Sequence, residues 1–301
     1  MIQVGIFTGY FPYSLQETAR RIRQLNFNTV QLDVTFKDMS VDAGELNSVK
    51  CKQIRDTFRD HHLPISCISG YTNLVHPTPE KRKANLARLK ELIQYANELG
   101  SPYVISESGT FDNNSDWVHH PRNKTGEGYQ ECLDTIGMLV EHARKHGAFF
   151  LVETYVNNVI GSIEETLRLF ADVNDARLGL LMDPTNYFED HNIDQMDDVL
   201  NRIFNALSRH VLISHAKDVQ RAEREQGVQM ADIDASEGHA LRGVGMIELP
   251  APGLGALNYN LYLQRLSRDH PNIPIIIEHL DEPDVPRAKN FIDGKLKELG
   301  V

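Results

Sequence analysis

Short runs of apolar and β-branched residues alternate along this chain with longer segments whose apolar positions recur every three or four residues, and the alternation can be laid out eight times. The short runs are QVGIF at 3–7, TVQLDV at 29–34, PISCIS at 64–69, YVISES at 103–108, FFLVET at 149–154, LGLLMD at 178–183, VLISHA at 211–216 and IPIIIEH at 273–279. Apolar runs of this length read as strands of a parallel sheet buried on both faces. The segments between them carry helix signals. Ser14 stands three residues before Glu17 and Ser162 three before Glu165, the spacing of a capping box that satisfies free N–H groups at a helix start. Thr78 precedes Pro79, and proline at the first helical position has no N–H to leave unpaired. Leu86, Leu89, Ile93, Ala96 and Leu99 form one apolar stripe that ends at Gly100. Eight such units without a proline- or serine-rich linker predict a single α/β domain over residues 1–301, a (β/α)8 TIM barrel. An open doubly wound sheet lacks support, because no GxGxxG turn follows the first strand.

Two connections are longer than a barrel needs. GTFDNNSDWVHHPRNKTGEGY follows the fourth strand, and a stretch from Val219 to Leu257 follows the seventh. Both belong to the C-terminal side of the strands, where barrel enzymes build their sites, and long connections there serve as lids, binding loops or plain surface excursions.

Composition and charge narrow the function. The net charge of -11 is spread without a lysine and arginine block, so neither nucleic acid nor an anionic membrane is an expected partner. No apolar run approaches the ~20 residues of a membrane span, and MIQVGIF opens without a leader pattern, so a soluble cytoplasmic protein is expected. Three cysteines, Cys51, Cys67 and Cys132, form no CxxC pair, which argues against a disulfide framework and a zinc ribbon. GxSxG and P-loop motifs are absent. DIDASEGH at 232–239 fails as a calcium loop because its glycine is at position seven instead of six. PGLG at 252–255 offers backbone N–H groups that could receive a phosphate, though a simple turn explains it as well.

The chemistry gathers at strand ends. The last four barrel strands close in Glu153, Asp183, His215 and Glu278. A parallel barrel brings such ends to one rim, where three carboxylates and an imidazole would surround a point. Buried unpaired carboxylates repel and are poorly solvated, and the remedy is protonation or a cation. One divalent ion, Mn²⁺, Mg²⁺, Co²⁺ or Zn²⁺, suits such oxygen and nitrogen donors. Each residue alone has an ordinary structural use, as a helix cap or a hydrogen-bonded core histidine. Glu107 at the end of the fourth strand is a further carboxylate on the rim, and Lys217 and Asp218 follow His215 directly.

With Glu153, Asp183, Glu278 and His215 inside HAKD, the chain resembles the xylose-isomerase-like barrel superfamily of sugar and sugar-phosphate isomerases and epimerases. The resemblance implies that Glu153 and Glu278 are metal ligands that also remove and return a proton, that Asp183 and His215 are ligands only, and that a metal-stabilised enediolate forms. Arg221, six residues after His215, resembles the epimerases' substrate-contacting arginine. Asn186 stands where those epimerases have a substrate-contacting histidine, which implies a different or phosphorylated sugar. His76, in GYTNLVHP, and Glu107 and Lys217 are further substrate-side candidates. The implied partner is a small-molecule sugar or sugar phosphate; the oligomeric state is left open, a homo-oligomer included. Alternatives are a lyase of the inosose dehydratase type, an endonuclease-IV-like phosphodiesterase and a catalytically silent sugar-binding barrel. The phosphodiesterase needs histidines from early strands that this chain does not offer, and a silent barrel needs no pair of acid-base glutamates.

Overall fold

A computed structural model describes residues 2–39, 41–222 and 247–301. Eight parallel strands close a barrel: β1 (Gln3–Phe7), β2 (Thr29–Leu32), β3 (Ile65–Ser69), β4 (Tyr103–Glu107), β5 (Phe149–Glu153), β6 (Leu178–Met182), β7 (Val211–Ala216) and β10 (Pro274–Ile277). Two short strands, β8 (Gln220–Arg221) and β9 (Ile247–Glu248), pair antiparallel beside the rim. Around the barrel run α1 (Leu15–Gln24), α2 (Ser48–Asp60), α3 (Pro79–Leu99), α4 (Gly126–Lys145), α5 (Ile163–Val173), α6 (Met196–Leu207), α7 (Tyr259–Asp269) and α8 (Val285–Leu299). The expected barrel is therefore observed, with small shifts at strand ends. The second strand stops at Leu32 instead of running to 34, and Glu278 lies one residue beyond β10.

The helix signals act as their chemistry requires. Ser14 and Ser162 accept from the backbone N–H of Glu17 and Glu165. Neither acid returns to its cap residue's N–H: Glu165 accepts from Gly161 N, one residue earlier, while Glu17 turns to Arg20 and Arg21. Thr78 and Pro79 open α3, and Gly100 ends it in the left-handed region at φ 108°.

Two apolar layers result. Most buried side chains lie between strands and helices. A separate cluster of Cys67, Ile105, Leu151, Leu181, Ile213 and Ile276 takes one residue from each of six strands and fills the barrel interior. Strand side chains alternate with period two, so this inner set fixes which residues face inward at the rim. Two positions on from Ile105, Leu151, Leu181, Ile213 and Ile276 stand Glu107, Glu153, Asp183, His215 and Glu278. The barrel core thus aims all five chemical residues at one mouth.

Loops fasten that mouth. Asn123 accepts from Phe111 N at 2.9 Å and donates to Thr110 Oγ1 and Asn157 O. Asn73 donates to Thr110 O at 2.8 Å, and Asn157 to Trp117 O at 2.8 Å. The connection after β4 is therefore bonded to the loops after β3 and β5. Of the connection after β7, residues 223–246, including DIDASEGH, lie outside the described residues. Among the described residues no helix is long and apolar enough to cross a membrane.

Candidate metal centre

His215 is the hub. Its side chain is fully buried, and its Nδ1 lies 3.5 Å from Glu153 Oε1, 3.8 Å from Asp183 Oδ2 and 3.4 Å from Glu278 Oε2. None of these is a hydrogen bond, so among the described residues Nδ1 is a buried nitrogen without a hydrogen-bond partner. Its other nitrogen is committed: Nε2 donates to Gln31 Oε1 at 2.9 Å. That bond sets the ring orientation and turns Nδ1 toward the three carboxylates.

Asp183 is held from its own strand end, and the two glutamates from other strands and loops. Asp183 Oδ1 accepts from Thr185 N and Thr185 Oγ1, leaving Oδ2 toward the centre. Glu153 Oε1 accepts from Asn186 Nδ2 at 2.8 Å, and Oε2 accepts a short hydrogen bond from Tyr71 Oη. Glu278 Oε1 accepts from Gln31 Nε2 at 3.0 Å. The residue after it, His279, is left-handed at φ 60°, an uncommon conformation for a non-glycine residue, and its N–H is met by Tyr10 Oη at 2.7 Å.

Lys217 enters the same space. Its Nζ lies 2.8 Å from Asp183 Oδ2, 3.2 Å from Glu153 Oε1 and 3.3 Å from Glu278 Oε2. Burial acts against every charge in the group, yet the mutual attraction prevails. It pushes the carboxyls of Glu153 and Asp183 down against burial, through Lys217 first and His215 next. It holds the His215 imidazole up at about 10, through Glu278 and Glu153. The cluster therefore demands positive charge. Glu107, in register with Glu153 across β4 and β5, is driven the other way: burial and the Glu153 charge raise its carboxyl well above the usual range.

The donor set fits a metal ion. Glu153, Asp183 and His215 each offer one atom within 4.8 Å of the others, and all three residues are buried. Donor atoms sharing an ion at about 2.1 Å stand roughly 3.0–3.4 Å apart, close to the spacings around His215 Nδ1. Three oxygens and one nitrogen suit a hard or borderline divalent cation.

Other expected residues fall around this centre. Arg221 is paired with Asp190, and with Asp194 at 2.8 Å, on the loop before α6. His76 is buried, accepts from Thr78 N at 3.0 Å, and lines a groove between α3 and α4 with Arg82 and Arg122. Asp218 orders a loop: its carboxylate accepts from the backbone N–H of Val219, Gly253 and Leu257 at 2.8–2.9 Å. The amides around PGLG thus already hold an anion belonging to the chain itself. Gln31 and Tyr71 were not expected from the sequence. Gln31 carried one usable signal, a lone amide inside an apolar strand.

The profile described as xylose isomerase-like TIM barrel matches residues 19–295. The chain belongs to that family. No curated protein matches its sequence. Among solved structures it resembles a xylose isomerase-like TIM barrel protein from Mycobacterium smegmatis in complex with magnesium, with a TM-score of 0.69 and 18% identity over 99% of this chain and 96% of that one. It also resembles the 3-keto-D-glucoside 4-epimerase YcjR from E. coli (TM-score 0.68, 15% identity, 100% and 99% covered). A third is the probable 3-DHS dehydratase AsbF from Bacillus anthracis (TM-score 0.68, 16% identity, 100% and 99% covered). At these identities the likeness is one of fold.

Proposed function

We propose that this family member is a divalent-metal-dependent isomerase or epimerase of a sugar or sugar phosphate. The observation that carries the reading is the placing of Glu153 and Glu278 at 3.5 and 3.4 Å from the same unpartnered nitrogen of His215. Glu153, Asp183, His215 and Glu278 would hold the ion, which supplies Lewis-acid polarisation of neighbouring substrate oxygens. The chain's own residues would do the rest. One glutamate takes the proton from the carbon beside the carbonyl, leaving an enediolate, and the other returns a proton to the neighbouring carbon or to the opposite face. Tyr71 and Asn186 hold both oxygens of Glu153, whereas Glu278 Oε2 has no comparable neutral donor among the described residues, so Glu278 is the freer base. Lys217, Glu107 and Asn186 are the substrate-side residues beside the cluster; Arg221 would act from farther out.

A second reading has its own support. A protonated Glu107 beside Glu153 could protonate a departing hydroxyl, which is what a dehydratase needs after the same proton abstraction. One experiment addresses both. Incubation in heavy water with ketoses, sugar phosphates and inososes should incorporate deuterium at a carbon next to the carbonyl, and Glu278→Gln should abolish it while the fold persists. Loss of water from the exchanging substrate would favour the lyase; active enzyme free of metal would overturn both readings.

A further inference from the structure

We propose that Lys217 is an exchangeable cation of the metal centre, competing with the ion for the same oxygens and set free toward the substrate when the ion binds. The inference rests on the metal-centre reading and deepens it.

The ammonium and the proposed metal donors share atoms. Lys217 Nζ lies within 3.3 Å of Asp183 Oδ2, Glu153 Oε1 and Glu278 Oε2. Those are the same three oxygens that surround His215 Nδ1 at 3.4–3.8 Å. These atoms would hold the ion, and the ammonium already takes their three oxygens. Two cations cannot share those oxygens, because like charges a few ångströms apart in a buried site repel strongly. Either the ammonium neutralises the carboxylates or the metal does.

The local build makes exchange feasible. The backbone around Lys217 is clamped, because Tyr262 Oη donates to His215 O, Tyr259 Oη donates to Lys217 O, and Asp218 binds three amides. Only the long side chain is left to move. A lysine in this position keeps three buried carboxylates from repelling one another before loading, and afterwards offers a positive head to a substrate oxygen or phosphate.

The test uses the full-length protein stripped with chelator and titrated calorimetrically with Mn²⁺. Lys217→Met should bind Mn²⁺ about tenfold or more tightly than wild type, because no ammonium must be displaced. Stripped Lys217→Met should also melt below stripped wild type, and gain more in melting temperature when Mn²⁺ is added. Should Lys217→Met fail to fold without metal, Mn²⁺-dependent refolding reads the same exchange, and Lys217→Gln provides the affinity. Equal or weaker Mn²⁺ binding by the variants, with wild type binding normally, overturns the exchange and leaves the metal centre standing. No Mn²⁺ binding by any of the proteins overturns the metal centre itself, and the exchange with it.

Discussion

His215 and Gln31, from strands on different sides of the barrel mouth, are joined by a 2.9 Å hydrogen bond from imidazole Nε2 to the amide oxygen. The same amide donates to Glu278 Oε1, so one neutral side chain orients two proposed ligands. Replacing Gln31 with Leu should therefore weaken Mn²⁺ binding about 10- to 100-fold, the usual effect of losing such a support. Calorimetry measures it, and an unchanged affinity would assign Gln31 to packing alone.

Tyr71 reaches Glu153 from a partly exposed position, 38% accessible, and donates through its hydroxyl. Tyr71→Phe keeps the ring and removes only that donor. Glu153 retains Asn186, so the fold should hold while deuterium exchange slows by roughly tenfold to a hundredfold, equivalent to about 1–3 kcal/mol. A rate equal to wild type would deny the phenol any part in holding the glutamate.

Asp218→Ala should be the most destabilising of these changes. It strands the N–H groups of Val219, Gly253 and Leu257, the first and last of them in buried residues, and an unsatisfied buried group costs about 1–3 kcal/mol before relaxation. A loss of roughly 3 kcal/mol in urea denaturation is expected, with Asp218→Asn milder because its amide oxygen still accepts.

The three thiols should be silent in the folded protein. Cys51, Cys67 and Cys132 are buried and free, and burial pushes Cys51 up to about 11 and Cys132 up to about 12. Thiolate is the reactive form, so a disulfide reagent at neutral pH should label none of them until denaturant is added and then all three. Rapid labelling of the native protein would mean that a helix layer opens.

Most of the barrel was legible because parallel strands announce themselves as apolar runs, and period two then carries the reading from Leu151, Leu181, Ile213 and Ile276 to the residues two positions on. Direction was harder. His76 follows β3 by only a few residues, yet the turn into α3 carries it to an outer groove. Tyr71 reads as one more aromatic residue, because a hydroxyl's partner 82 residues away leaves no mark on its neighbours. Lys217 was visible beside the histidine, but its position among three carboxylates depends on two tyrosines from α7 that hold the backbone beneath it.

The pairing of Asp218 with the 253–257 backbone has a practical meaning for anyone moving this site to another scaffold. A Cβ at Gly255 would collide with the Asp218 carboxylate, so the glycine and the aspartate accept each other as a matched set. HAKD and PGLG, more than thirty residues apart, therefore form a single transplantable cassette with the α7 tyrosines. Copying the four residues after Ser214 alone would carry the donors across without the clasp that aims them.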